Sequence, residues 1–300
     1  MDRKVSVSLR LLQKRHGDFY ALEVAKKIGA DGLDFSFSKE DYRKPDSIYA
    51  KSHSEFIAHY SALRTKAQEL GIAISQAHGR YEICFDDPEH TEDAMKNARL
   101  DCMAAHYMGC PYVVFHGVNK PFDGTEAAAE KFRMENDTLF GRILGFAREF
   151  GIKVAMETDG PDAFFGSLKE YEASFKRISR QAEDQSFLIA CVDTGHTNKS
   201  VGYDGNPSVG DTIRRLGKKV ACLHMHDNNG ISDQHRAPFS GSIDWADVFD
   251  ALDEIGYTGW YNLEPNLNLL KSFGKGFEVE YAAFAVKILR FMLESRYGKE

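Results

Sequence analysis

The chain has no run of 18 apolar residues among its 300, so no segment is expected to cross a membrane as a helix. From Met1 to Val7 it passes directly from charged positions into a strand-like stretch; with no apolar leader core, no secretory signal is expected. No Cys-x-x-Cys pair occurs. The five cysteines (Cys84, Cys102, Cys110, Cys191 and Cys222) are odd in number and scattered, which suits buried thiols in a reducing cytoplasm better than a disulfide frame or a zinc finger. No Gly-x-Gly-x-x-Gly follows the first strand-like stretch, which argues against dinucleotide binding. Positive charge is in deficit: 38 Lys and Arg against 45 Asp and Glu leave a formal net charge of −7. A protein built to coat nucleic acid needs a strongly basic surface, so nucleic acid is not the expected partner. Low-complexity segments, linkers rich in Pro, Gly and Ser, and composition breaks are all missing, and a single domain over residues 1–300 is expected.

What is present is 43% hydrophobic residues, enough for a sizeable core, arranged in alternating short and long runs. Short runs rich in Val, Ile and Phe at 5–9, 32–37, 72–77, 112–116, 154–157, 188–193, 220–226 and 261–264 read as strands. Their near-continuous apolarity is that of strands covered on both faces. Amphipathic stretches at 18–28, 52–70, 91–108 and 125–150 each stop at a glycine suited to a helix C-terminus, and a fifth runs over 278–296. Eight strand–helix units imply parallel strands with right-handed crossovers, and eight favours closure: a (β/α)8 TIM barrel with outer helices. Non-periodic pieces at 38–50, 80–90, 117–124, 228–243 and 266–277 all follow strands, which places them on the catalytic face of such a barrel.

Polar residues collect at the same ends. Of 11 histidines, His78, His116, His196, His224 and His226 lie at or just past the C-terminal end of a strand candidate, and His235 lies in the loop after the seventh. Glu157, Asp193 and Glu264 end the fifth, sixth and eighth. An isolated carboxylate there can pair with an arginine across the barrel, and an isolated histidine can be a hydrogen-bonded core residue. Several together are costly to bury unless a cation compensates them. Oxygen and nitrogen donors without a thiolate favour Mn, Mg, Co or Zn. His224 and His226, at i and i+2 of a strand, face the same side. Glu157 and Glu264 then suit an acid–base pair on opposite faces of an enediolate, the chemistry of isomerising or epimerising a hydroxy-ketone. His16, His53, His59, His90 and His106 read as surface residues. The aromatics Phe35, Phe37, Tyr81, Phe115, Phe164, Phe165, Trp245 and Trp260 are candidates to shape a sugar pocket.

The segments Met156-Glu157-Thr158, Asp193-Thr194-Gly195-His196 and His224-Met225-His226-Asp227-Asn228, followed by Asp233-Gln234-His235, Gly241-Ser242-Ile243-Asp244-Trp245 and Glu264, resemble the xylose-isomerase-like TIM-barrel superfamily over nearly the whole chain. The resemblance implies one divalent metal (Mn, Co, Mg or Zn) held by Glu157, Asp193, His224 and Glu264, with Glu157 and Glu264 catalytic. It implies a carbohydrate substrate, free, phosphorylated or a polyol, contacted by His196, His226, His116, His78, His235 and Arg236. The superfamily also contains inosose dehydratases and endonuclease IV, whose three-zinc set places ligands where His78, His116, Asp233 and His235 stand here. The acidic balance and the Thr158-Asp159-Gly160-Pro161 segment weigh against the nuclease. Ketose 3-epimerases carry an arginine shortly after the seventh-strand histidine; Gly230 holds the nearest position and Arg236 comes six residues later. Phe273-Gly274-Lys275-Gly276 is a candidate phosphate contact. A metal-dependent sugar isomerase or epimerase is therefore expected, with a β-eliminating lyase or a three-zinc phosphodiesterase as alternatives. The expected enzyme is cytoplasmic, and a homo-oligomer is compatible with its size.

Overall fold

The computed structural model describes residues 3–118, 123–182, 184–268 and 276–298. Its strands are β1 (Val5–Ser8), β2 (Gly32–Ser36), β3 (Ala73–His78), β4 (Tyr112–Phe115), β5 (Lys153–Glu157), β6 (Leu188–Asp193), β7 (Val220–His224) and β8 (Tyr261–Leu263). They form one sheet in the order β7-β6-β5-β4-β3-β2-β1-β8, and the named strand pairings are parallel. A parallel bridge between Met225 and Leu263 joins the two ends, and Met225 donates to the Asn262 carbonyl at 2.7 Å. This is the (β/α)8 TIM barrel expected from the sequence.

The helices are α1 (Arg10–His16), α2 (Asp18–Lys27), α3 (His53–Leu70), α4 (Pro88–Met108), α5 (Glu126–Phe150), α6 (Leu168–Gln181), α7 (Thr194–Lys199), α8 (Val209–Leu216), α9 (Trp245–Glu254) and α10 (Glu278–Tyr297). Local chemistry sets their limits. Ser52 and Glu55 form a reciprocal capping box on α3. Gly71, Gly109 and Gly151 end α3, α4 and α5 in the left-handed conformation that glycine adopts freely. α4 starts three residues before the expected Thr91, because Asp87 caps it and Pro88 occupies a first-turn position where no N–H is needed. α1, α6, α7, α8 and α9 fall outside the stretches read as helices from the sequence; α1, α7 and α8, at six to eight residues, are too short to show a period.

Side chains alternate across the strands, except where register shifts pass over Ser75 in β3 and Ala221 in β7. Val5, Val7, Leu33, Phe35, Val154, Met156, Leu223 and Met225 join the large core between barrel and helices. The smaller cluster of Tyr112, Val114, Ala155, Ile189, Cys191 and Cys222 fills the lower barrel interior. All five cysteines are buried, and none forms a disulfide among the described residues. Among the described residues, no helix is long and apolar enough to cross a membrane.

Candidate metal centre

The alternation that sends Met156 and Met225 outward sends their neighbours Glu157, His224 and His226 inward. Parallel pairing brings strand ends level: Glu157 stands opposite Cys191, and Asp193 opposite His224. Glu157, Asp193, His224 and Glu264 thereby bring one donor atom each within 4.8 Å of one another. His224 Nδ1 lies 2.7 Å from Glu157 Oε1 and 3.6 Å from Glu264 Oε2. Asp193 also caps α7, accepting from the His196 N–H at 2.6 Å, and His226 Nε2 approaches its carboxylate at 2.9 Å. The turn leaves no room at Gly195, where a Cβ would lie 1.9 Å from His226 Cε1.

Four further imidazoles share one pattern. His78, His196 and His235 each place Nδ1 3.0–3.1 Å from a main-chain carbonyl, of Gly79, Thr158 and Glu264 respectively. His116 Nδ1 lies 2.5 Å from Asp159 Oδ1. A carbonyl or carboxylate only accepts, so each Nδ1 carries a hydrogen, and a neutral ring must then present a lone pair at Nε2. Those Nε2 atoms converge on carboxylates: His78 at 3.4 Å and His116 at 3.2 Å from Glu157 Oε2, His196 at 3.5 Å and His235 at 3.1 Å from Asp233 Oδ2. A lone pair facing an anion is repulsive. A proton or a bound cation resolves it. Glu157 Oε2 is buried and takes no hydrogen bond among the described residues. The donor set therefore fits a divalent metal held by Glu157, Asp193, His224 and Glu264, and leaves room for others beside it. His196, His226, Asp233 and His235 also form a compact group of their own. Among the described residues, His235 is one of three non-glycine residues with positive φ, at 47°, a strained conformation of the sort found at functional sites.

Without metal, protons do the balancing. Burial opposes charge on Glu157, but His116 and His224 outweigh it and hold the carboxyl well below its usual range. Asp193 is likewise buried, yet His196 and His226 bring it down to about 2. Burial lowers the imidazoles; Asp193 and Asp233 more than reverse this at His196, Glu157 and Glu264 do so at His224, and Glu264 with Asp233 raise His235 to about 9.

Above this cluster opens a polar cleft of about 530 Å³, lined in part by Tyr81, His116, Glu157, His196, Asp233 and Glu264. His78, Asp193, His224 and His226 lie beneath it, buried. Arg236 is not among the lining residues; its guanidinium donates to the Ser240 carbonyl at 3.2 Å, and its backbone pairs with Asp227. Asp227 braces the loop after β7, accepting from Trp245 Nε1 at 3.0 Å. Of the aromatics expected to shape a sugar pocket, only Tyr81 lines the cleft, stacked on His78 with centroids 4.4 Å apart. Phe35 and Phe115, which the strand alternation turns to the helices, and Phe37, Phe164, Phe165 and Trp245, which lie outside the strands, are all buried in the core instead, and Trp260 packs against Lys4. His16, His53, His90 and His106 are exposed and His59 half-buried, all on helices. Residues 273–275 of the phosphate candidate lie outside the described residues. Sequence reasoning passed over Asp34, Asp159, Arg10 and Lys199. Asp159 had a signal, since it stands two residues after Glu157, while Arg10 and Lys199 look like any surface cation until the fold points them at the cleft.

A family model described as a xylose isomerase-like TIM barrel matches residues 22–279. An uncharacterised protein of Methanocaldococcus jannaschii is 31% identical over 130 residues, 43% of this chain and 42% of that protein. A D-psicose 3-epimerase of Enterocloster bolteae is 25% identical over 221 residues, 68% of this chain and 65% of the enzyme. The chain thus spans 42% to 65% of the length of such curated relatives. A crystal structure of the IolI protein with a bound zinc atom superposes with a TM-score of 0.73 at 17% identity, covering 98% of this chain and 99% of that one.

Proposed function

The chain belongs to the xylose isomerase-like TIM-barrel family, and we propose that within it the protein is a divalent-metal-dependent isomerase or epimerase of a small sugar or polyol. The observation that carries this reading is the meeting of Glu157, Asp193, His224 and Glu264 at the floor of a polar cleft large enough for a monosaccharide. Glu157, Asp193, His224 and Glu264 would hold one Mn, Co, Mg or Zn. When bound, such an ion polarises a carbonyl and its neighbouring hydroxyl, acidifying the intervening C–H. Glu157 and Glu264 are the acid–base pair: one carboxylate removes the proton from the substrate carbon, and the other returns one to the opposite face or to the adjacent carbon of the enediolate. His196, His116 and His235, at the cleft wall, offer hydrogen bonds to hydroxyls, and Tyr81 offers an apolar edge over His78. The relative named a D-psicose 3-epimerase supports a carbohydrate substrate. The test is solvent deuterium exchange into a panel of ketoses and their phosphates, followed by NMR with added divalent ions. Exchange at the carbon beside the carbonyl is the expected result; an unsaturated product instead identifies a dehydrating lyase.

A second reading rests on the paired imidazoles aimed at Glu157 Oε2 and Asp233 Oδ2, which favour more than one cation. Several metal ions suit phosphodiester hydrolysis. Cleavage of an abasic-site duplex, together with about three zinc ions per chain, would carry that reading over the first.

A further inference from the structure

Asp34 sits on β2 deep in the barrel, 1% exposed, away from the cleft and without a place in the acid–base scheme. It is the one ionisable residue of that strand. Its surroundings fix what it can do. Asn262 Nδ2 donates to Asp34 Oδ2 at 3.0 Å, and Gln76 Nε2 does so at 3.4 Å. Neither amide is free to turn round. Ser6 Oγ donates to Asn262 Oδ1 at 2.7 Å, while Cys222 Sγ donates to Gln76 Oε1 at 3.2 Å and Gln76 Nε2 also reaches the Leu223 carbonyl. A register shift in the β2–β3 pairing, which passes over Ser75, is what sets Gln76 opposite Asp34.

Asp34 is thus held as an acceptor, and whatever faces it next must donate. The next group is His224 Nε2, 3.6 Å from Asp34 Oδ2. Both His224 Nε2 and Asp34 Oδ1 are buried with no hydrogen bond among the described residues. A small rotation of the ring closes the gap. On the far side of the same ring, Nδ1 faces Glu157 and Glu264. One imidazole therefore lies between a fixed acceptor and the metal position.

We infer that Asp34 is a positioning residue: by accepting Nε2–H it holds His224 in the tautomer whose Nδ1 lone pair points to the metal position. The inference rests on the metal-dependent reading above and deepens it. A carboxylate behind a metal-bound histidine sets ring orientation and raises ligand basicity, and losing it weakens metal binding by roughly 10–100-fold. Asp34→Asn keeps the shape and an acceptor oxygen for Asn262 but removes the charge behind His224.

The experiment is Co²⁺ titration of the chelator-treated full chain and of Asp34→Asn, followed by calorimetry and by the visible absorption of the bound ion, with ¹⁵N-histidine NMR of the wild type loaded with Zn²⁺. The expected result is a Co²⁺ dissociation constant raised about 10-fold or more in Asp34→Asn, with an altered Co²⁺ spectrum and metal-free unfolding close to wild type. In the wild type, the His224 ring is expected to carry its hydrogen on Nε2 and metal on Nδ1. Affinity within two-fold of wild type with an unchanged spectrum overturns the inference. So does NMR showing the hydrogen on Nδ1, a result that needs no variant to fold. Wild type that binds no divalent ion overturns the metal-dependent reading and this inference with it, whereas wild type that binds while Asp34→Asn binds equally removes only the role of Asp34.

Discussion

His224 Nδ1 lies 2.7 Å from Glu157 Oε1, though 67 residues separate them, and each is turned away from the helices by the methionine beside it. The contact joins β5 to β7 across the barrel interior, over the Cys191 and Cys222 side chains of the apolar plug. It places the imidazole and the carboxylate where a cation can replace the proton they share.

On the proposed mechanism, replacing Glu157 or Glu264 by Gln removes a proton acceptor and one metal oxygen while keeping side-chain volume. Each variant is expected to fold and to lose deuterium exchange at the substrate carbon by about 10²-fold or more. Full exchange in both variants would contradict the assignment of the acid–base pair.

Gly195 is required by space, not by backbone conformation. A Cβ there would meet three atoms of the His226 ring between 1.9 and 2.6 Å. Gly195→Ala must push His226 off Asp193, at a cost of about 1–3 kcal/mol from overpacking. Thermal unfolding should show the loss, and Co²⁺ affinity should fall with it because Asp193 shifts. Unchanged stability in Gly195→Ala would mean that the turn after β6 is looser than described.

The metal-free protein should lose stability on the alkaline side. His235 keeps its proton in the folded state to about 9, against about 6.5 in an unfolded chain. Its contribution is fully present below pH 6.5 and is lost as pH rises through 9. Asp193 works in the opposite sense: its folded value of about 2 gives stability above the unfolded value near 3.9 that is lost as pH falls through 2. Melting temperatures in chelator should therefore decline from pH 6.5 to 9. Metal binding displaces the imidazole protons, so divalent-ion affinity should rise over the same range. A melting temperature in chelator that rises toward pH 9 would contradict this proton balance.

The barrel was legible because its strands repeat one short apolar pattern eight times, each bounded by turn residues. The strand-end places of Glu157, Asp193 and Glu264 followed from the same pattern, since a charge at the end of an apolar run has few physical explanations, whereas the choice of His224 over His226 came from the family resemblance. Which face the aromatics took was harder to read. Phe35 and Phe115 are apolar on strands covered on both sides, so hydrophobicity alone did not separate the interior from the helix layer. Asp34 was passed over because its partners, Asn262 and Gln76, come from strands far away in sequence. The reach of Arg236 to Ser240 depends on the loop conformation after β7, which no local pattern encodes.

The measurement that bears most directly on the account is metal content per chain by inductively coupled plasma mass spectrometry, on full-length protein purified without chelator or affinity metal and again after incubation with Mn²⁺, Co²⁺ or Zn²⁺. The account predicts at least one tightly held divalent ion per chain, lost or weakened in Glu157→Gln. One ion favours the sugar isomerase or epimerase, and about three zincs favour the phosphodiesterase. No divalent ion in either preparation would contradict the metal centre, and with it the mechanism built on Glu157 and Glu264.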